Sequence, residues 1–288
     1  MPGYGRGVTD DLAATAPALR RERVRHPLAV RHLTVLRRRQ LSARMLRLTL
    51  GGEDLTGFTA DGPADHVKLF VPDPATGELH APRVVGEAME RPDVAPTVRD
   101  YTPRALHDGG LDIDVVLHAH PGPVSAWAER AVPGDPVAIA GPRSSQLLPA
   151  ADHLLLGGDE TALPALARWL ERAPAGLPVD VLVELSDPAD AEYLAAVARP
   201  EHALHVRYRG DAAPGTTTLL ADAVRAVPAR AGTGYAWFAG EAGSLVAVRR
   251  WLRHDSAFAR GNVKVDGYWR RGVVALDHHA PVDPEDVD

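Results

Sequence analysis

The hexapeptide Arg99-Asp100-Tyr101-Thr102-Pro103-Arg104 places a guanidinium, a phenol ring and a hydroxyl within one strand-length of chain. Side chains alternate in extended backbone, so Arg99, Tyr101 and Pro103 are expected on one face and Asp100, Thr102 and Arg104 on the other. A guanidinium holds a pyrophosphate bidentately, and an aromatic ring can cover a flat heterocycle. The combination suits a flavin nucleotide. The same residues also describe an ordinary strand with a Tyr between charges, and the hexapeptide alone does not separate the two.

Further chemistry lies downstream. Gly122-Pro123-Val124-Ser125-Ala126-Trp127 opens a helical run just after a strand ending near His118. Its free backbone N–H groups, with Arg99 on a neighbouring strand, could cradle a pyrophosphate; Pro in a first helical turn is equally ordinary punctuation. Gly157-Gly158-Asp159-Glu160-Thr161-Ala162 stands where a nucleotide domain often carries its phosphate loop, but two carboxylates at a helix start would repel phosphate. That loop is expected to meet sugar, adenine or nicotinamide, or else Asp159 simply caps the helix. Gly240-Glu241-Ala242 ends a second apolar strand and belongs at the same sheet edge, where ligands bind. Tyr268 and Trp269, set among Lys264, Arg270 and Arg271, read as a stacking surface or as core aromatics of a terminal strand. There is no GxGxxG, Walker A or GxSxG sequence. The pairs His118/His120 and His278/His279 lack a Cys or carboxylate cluster beside them, so no metal site is expected.

These residues need scaffolds. The 288-residue chain fits two domains, and 45% apolar content suffices for two cores. A net charge of −6 argues against a nucleic-acid binder. The absence of Cys excludes disulfides, iron–sulfur clusters and thiol redox chemistry, so electron transfer would need a bound organic cofactor. Lacking an apolar run of about 18 residues or a signal-peptide core, the chain is expected in the cytoplasm, away from membranes. Residues 1–26 read as a flexible extension. Residues 27–148 hold short strands (LAVRHLTV, ARMLRLTL, HVKLFV, LDIDVVLH, PVAIAG) without long helices between them, which predicts an antiparallel β-barrel. In LDIDVVLH the acidic residues are expected to face water, and the Pro-rich stretch 72–96 reads as a surface loop. Residues 149–288 alternate strands and helices, predicting an α/β domain with a parallel sheet suited to a nucleotide.

Six motifs in order, RDYTPR, HAHPGPVSAWA, PGDPVAIAGPR, GGDETALPALARWLE, FAGEAGSLVAVRRWL and GYWRRG, resemble the siderophore-interacting protein family. Its members are FAD-dependent ferric-siderophore reductases related to the ferredoxin reductases. The resemblance implies an FAD-binding barrel followed by an NAD(P)H-binding α/β domain, and electron transfer through FAD without a catalytic side chain. Carried over by position, Tyr101 packs on the isoalloxazine and Thr102 bonds near its reactive nitrogen. Arg99 and the helix from Gly122 hold the ribityl and pyrophosphate groups. The implied cofactor contacts also include His118, Pro123, Val124, Ser125, Trp127, Asp159, Glu160, Thr161, Ala162, Gly240, Glu241, Ala242, Tyr268 and Trp269. Lys68, Arg143, Lys264 and Arg270 are implied as cations beside the flavin for an anionic ferric siderophore. Ala119 and Ser144 depart from a pattern that often has Gly at both positions. Glu184 and Asp187, at the end of the strand facing the adenosine ribose, favour NADH over NADPH, with Arg207 and Arg209 opposing them. A monomer is expected. A flavin or ferredoxin-type reductase with another acceptor, or a non-redox binding protein on this scaffold, is the alternative.

Overall fold

The computed structural model describes residues 18–118, 121–274, 276–277 and 280–286. His120, His278, His279 and most of the expected N-terminal extension lie outside them. Two compact units are formed. One comprises Glu22–Leu148 together with Leu163–Arg172; the other comprises Met1–Arg21, Pro149–Ala162 and Ala173–Asp288, so far as those segments are described.

The first unit begins with β1 (Arg23–Arg25), which pairs antiparallel with β11 (Ser144–Gln146). Residues 23–25, expected in a flexible extension, are therefore an ordered strand. The main sheet contains β2 (Val30–Gln40), β3 (Met45–Gly51), β4 (Val67–Val71), β7 (Thr97–Tyr101), β8 (Pro103–His107), β9 (Gly110–Val116) and β10 (Pro136–Ala140). Its order is β7-β4-β10-β2-β3-β9-β8, antiparallel throughout. The edge strands β7 and β8 are joined through Thr102 alone, so the sheet must curl until its edges approach. The result is a half-barrel, open between β7 and β8. Alternating inward residues such as Leu46, Leu48, Leu50, Leu111, Ile113 and Val115 fill its core.

Two details differ from expectation. Asp112 and Asp114 on β9 are buried rather than facing water. Arg47, directly across the ladder from Asp114, donates to both of its oxygens at 2.7 Å and lies 3.2 Å from Asp112, which also accepts from the Thr49 hydroxyl at 2.7 Å. A carboxylate leaves water when such partners replace it. Within stretch 72–96 the chain forms a small exposed hairpin, β5 (Arg83–Val85) with β6 (Ala88–Glu90).

The second unit holds a parallel sheet of β12 (His153–Gly158), β13 (Val179–Leu185), β14 (His202–Tyr208), β15 (Gly234–Glu241) and β16 (Val263–Trp269), ordered β14-β13-β12-β15-β16. The order reverses between β12 and β15, and their carboxyl ends therefore flank a crevice. Leu220 and Val224 of α4 (Leu219–Ala226) and Leu245, Val248 and Leu252 of α5 (Ala242–His254) pack on Leu155, Leu182, Ala236 and Phe238. A short helix, α3 (Glu192–Ala195), follows β13. The helices α1 (Pro123–Arg130) and α2 (Leu163–Arg172) belong to the first unit. The place of α2 in the chain, within 149–288, puts it in the expected α/β domain, whereas its contacts group it with the first unit. No helix among the described residues is long and apolar enough to cross a membrane.

Candidate functional site

The Arg99–Arg104 segment is a corner rather than one strand. β7 pairs with β4 from Thr97↔Val71 to Tyr101↔Val67, the chain leaves the ladder at Thr102, and β8 resumes at the opposite edge of the sheet. The expected shared face of Arg99, Tyr101 and Pro103 therefore ends at Tyr101. Tyr101 lies half-buried against the barrel core, and burial pushes its phenol pKa up, with Arg99 opposing. The phenol is a neutral donor at physiological pH. Thr102 is buried. Arg99 donates to the Val98 carbonyl at 2.7 Å, and among the described residues no carboxylate pairs with it.

α1 packs against β7, β3, β4 and β9. Its N-terminus at Gly122 has no side-chain cap, Pro123 occupies the first turn, and the Ser125 hydroxyl donates to the Gly122 carbonyl at 3.0 Å. Val124 and Trp127 are buried in the barrel core, while His118 is exposed just past β9. One unit thus holds a half-buried aromatic, a buried hydroxyl, a guanidinium without an acidic partner and an uncapped helix start. This donor set fits the ring and the diphosphate of a flavin nucleotide.

At the switch point of the parallel sheet the acidic residues face inward. Asp159 accepts from Thr161 N at 2.9 Å and Thr161 Oγ1 at 2.5 Å through one oxygen, and from Glu241 N and Trp269 Nε1, both at 2.9 Å, through the other. It ties together the ends of β12, β15 and β16. Burial, the largest influence, raises its pKa against these hydrogen bonds. A Cβ on Gly240, whose φ is +148°, would stand 2.7 Å from Asp159 Oδ2. Only glycine leaves the carboxylate room there. Glu160 accepts from Ser186 N at 2.8 Å and Arg209 Nη2 at 2.7 Å. Glu241 accepts from Ser244 N at 2.6 Å, capping α5, and from Arg271 N at 3.1 Å. Ala162 and Ala242 are buried. The carboxylates of Asp159, Glu160 and Glu241, residues expected at a ligand surface, accept from protein donors, because a buried carboxylate is tolerated only when paired. The Trp269 indole N–H is spent on Asp159, and Tyr268 meets Trp237 edge-on at 6.3 Å. A separate cavity of about 170 Å³, lined by His153, Asp180, Trp251 and Phe258, lies at the opposite, amino end of this sheet and contains none of the predicted residues.

Residues 34–146 match the family model described as "Siderophore-interacting FAD-binding domain", and residues 151–272 match "Siderophore-interacting protein". The chain belongs to the siderophore-interacting protein family. It is 34% identical over 257 residues to the ferric vibriobactin reductase ViuB of Vibrio cholerae, covering 86% of this chain and 92% of that one. Over 182 residues it is 42% identical to the NADPH-dependent ferric-chelate reductase of Escherichia coli, covering 60% and 70%. A siderophore utilization protein from T. fusca, solved by crystallography, superposes with a TM-score of 0.85 at 40% identity, covering 91% of this chain and all of that one.

The cations predicted for this siderophore-interacting protein are unequal. Lys68 Nζ lies 3.0 Å from Asp100, and Lys264 Nζ lies 3.1 Å from Asp266, so each carries an acidic neighbour. Arg270 donates to the Val282 carbonyl at 3.3 Å. Arg143 is exposed and, among the described residues, its side chain has no bonded partner. Of the groups read for donor preference, Glu184 is buried, accepts from the Thr217 hydroxyl at 2.6 Å and lies 3.9 Å from Arg209. Asp187 accepts from Ala189 N at 2.9 Å, and Arg207 donates to the Val206 carbonyl at 3.1 Å. Glu184 and Arg209 thus satisfy one another and Glu160 instead of standing free for a ribose.

Sequence reasoning left Arg104 without a role and passed over Arg168 and Glu171. Arg104 forms a two-pronged pair with Glu171 at 2.8 and 2.6 Å. Arg168, buried, donates to the Ala60 and Gly62 carbonyls at 2.6 Å, to Pro63 at 3.2 Å and to Pro103. Burial lowers its pKa to about 10, so it remains charged. The available signal was Arg168, Glu171 and Arg172 at i, i+3 and i+4, which lines three charges along one helix face.

Proposed function

We propose that the chain is a flavin-dependent oxidoreductase that passes electrons from NADH or NADPH through FAD to the ferric iron of a siderophore, releasing ferrous iron. The observation that carries this reading is the Tyr101–Thr102 corner beside Arg99, which pairs with no carboxylate among the described residues, and the start of α1 without a side-chain cap, all within the unit that matches an FAD-binding domain. FAD, when bound, supplies the conversion of a two-electron hydride into single electrons that ferric iron can accept.

The residues act by binding and orientation. Arg99 and the backbone N–H groups at the start of α1 hold the diphosphate, Tyr101 packs on the flat ring, and the Thr102 hydroxyl offers it a hydrogen bond. His118 and Ser125 border the same cradle. The parallel-sheet unit receives NAD(P)H at the crevice between β12 and β15, where the Asp159 tie keeps the strand ends in shape and the inward carboxylates leave the diphosphate of FAD to the other unit. Tyr268 and Trp269 form a wall of that crevice. No side chain has to act as acid or base. Iron is released because hard oxygen chelators hold ferrous iron far less tightly than ferric iron. Arg143 is the foremost cation for an anionic siderophore, with Lys68, Lys264 and Arg270 tempered by their partners. The reading includes a monomeric enzyme working in the cytoplasm, where reduced nicotinamide nucleotides are made.

Purified protein titrated with FAD should turn yellow. Its flavin bands should bleach anaerobically on adding NADH or NADPH and return on adding a ferric siderophore, with ferrous iron trapped by a chromogenic chelator. Failure to take up FAD would refute the proposal. Reoxidation by free flavin or a protein acceptor but not by ferric siderophores would replace it with a general reductase.

A further inference from the structure

The corner that carries Thr102 has little backbone bonding of its own. Thr102 lies outside both ladders, and Pro103 has no N–H to donate. The β8–β9 register shifts between Pro103 and Ala105, so Arg104 is the extra residue of a bulge. Of three successive buried residues, only Pro103 has a ladder partner, Ile113, so Thr102 and Arg104 on either side of it take their conformation from something other than the sheet. That partner is one face of α2. Arg168 donates to the Pro103 carbonyl and, with the same guanidinium, to carbonyls of Ala60, Gly62 and Pro63. One turn on, Glu171 accepts both prongs of Arg104, and Arg172 donates to the Asp61 carbonyl at 3.1 Å. A planar fork with five donors can span several carbonyls at once; an ammonium cannot do so in the same geometry.

We propose that Arg168, seconded by the Arg104–Glu171 pair, is a positioning residue for the flavin: it pins the Tyr101–Thr102–Pro103 corner so that the Tyr101 ring and Thr102 hydroxyl meet the isoalloxazine in one fixed pose. The inference rests on the flavin-reductase reading. Bulges beside active sites commonly re-aim side chains, and here the bulged residue itself is held by the helix that holds its neighbour. A site held in place by surrounding hydrogen bonds binds better than one that must be ordered on binding.

FAD is titrated into the wild-type chain, Arg168→Lys and Glu171→Gln, each first checked for native far-UV circular dichroism. Loss of about one charge-assisted hydrogen bond's worth of positioning should raise the FAD Kd about tenfold in Arg168→Lys and about threefold in Glu171→Gln. The visible circular dichroism and midpoint potential of the bound flavin should change, while KM for the siderophore stays put. A lowered Tm with unchanged FAD Kd, flavin dichroism and potential would show a merely structural role and overturn the inference. Should Arg168→Lys fail to fold, Glu171→Gln, at a residue 37% exposed in its side chain, decides by the same criteria. A wild-type chain that takes up no FAD overturns the reading and the inference together; wild-type uptake with indistinguishable variants overturns the inference alone.

Discussion

Asp159 gives the sharpest test of the α/β unit. Asp159→Ala strands three N–H donors, those of Thr161, Glu241 and the Trp269 indole, the Glu241 amide being fully buried. At about 1–3 kcal/mol for each stranded donor, with relief of the carboxylate's burial working the other way, the net loss is about 2–5 kcal/mol. For a unit of this size that lowers Tm by about 5–15 °C. Asp159→Asn discriminates further. Its single carbonyl oxygen can serve either Thr161 or the Glu241–Trp269 pair, and its NH2 then faces donors, so it should fall between wild type and Ala. The pH dependence has a definite sign. The folded pKa of Asp159 is raised by burial, so the folded state holds the proton more tightly than the unfolded state. Its contribution to stability therefore declines as pH rises from the ordinary carboxyl range through the raised value, and that decline should vanish in Asp159→Asn. Thermal and urea unfolding followed by tryptophan fluorescence measure all three proteins. An Ala variant within about 0.5 kcal/mol of wild type would refute the argument that these donors depend on Asp159.

Gly240→Ala sets a Cβ 2.7 Å from Asp159 Oδ2 at a positive φ, and should cost about 2 kcal/mol or more in urea unfolding. Arg99→Ala removes a guanidinium that no carboxylate among the described residues engages, so stability should hold within about 0.5 kcal/mol while FAD affinity, read by flavin fluorescence, drops about tenfold or more. Asp100→Asn frees Lys68 and should lower KM for an anionic ferric siderophore without altering reduction of a neutral dye; an unchanged KM places Lys68 away from the siderophore. Burial raises the Tyr101 phenol, so stability due to it falls as pH rises above about 10, and Tyr101→Phe should flatten the alkaline limb of a pH–Tm profile.

Local sequence determined a good deal. Period-two strands without helices, then strand–helix alternation, specify an antiparallel and a parallel sheet, because each pattern buries its apolar residues in only one way. The helix start at Gly122-Pro123 is legible for the same reason, being local, whereas the strand end at Tyr101 is not: the alternation of Arg99–Arg104 reads as one strand, and the corner at Thr102 forms only because β7 and β8 are opposite edges of a curled sheet. What escaped was decided by partners distant in the chain. Asp112 and Asp114 alternate with apolar residues as a wet face would, yet Arg47 lies across the ladder and draws them inside. The donors that Asp159 and Glu160 accept from include Trp269, 110 residues away, and Arg209, 49 away, which no local pattern announces. Arg104 and Arg168 acquire meaning only because the corner at Thr102 lies where the sheet offers its backbone no ladder, leaving carbonyls that a helix from later in the chain must satisfy. The hydrophobic pattern along the chain settles which face of an element is buried; which charge answers which across that burial is settled only when the sheets have curled and crossed.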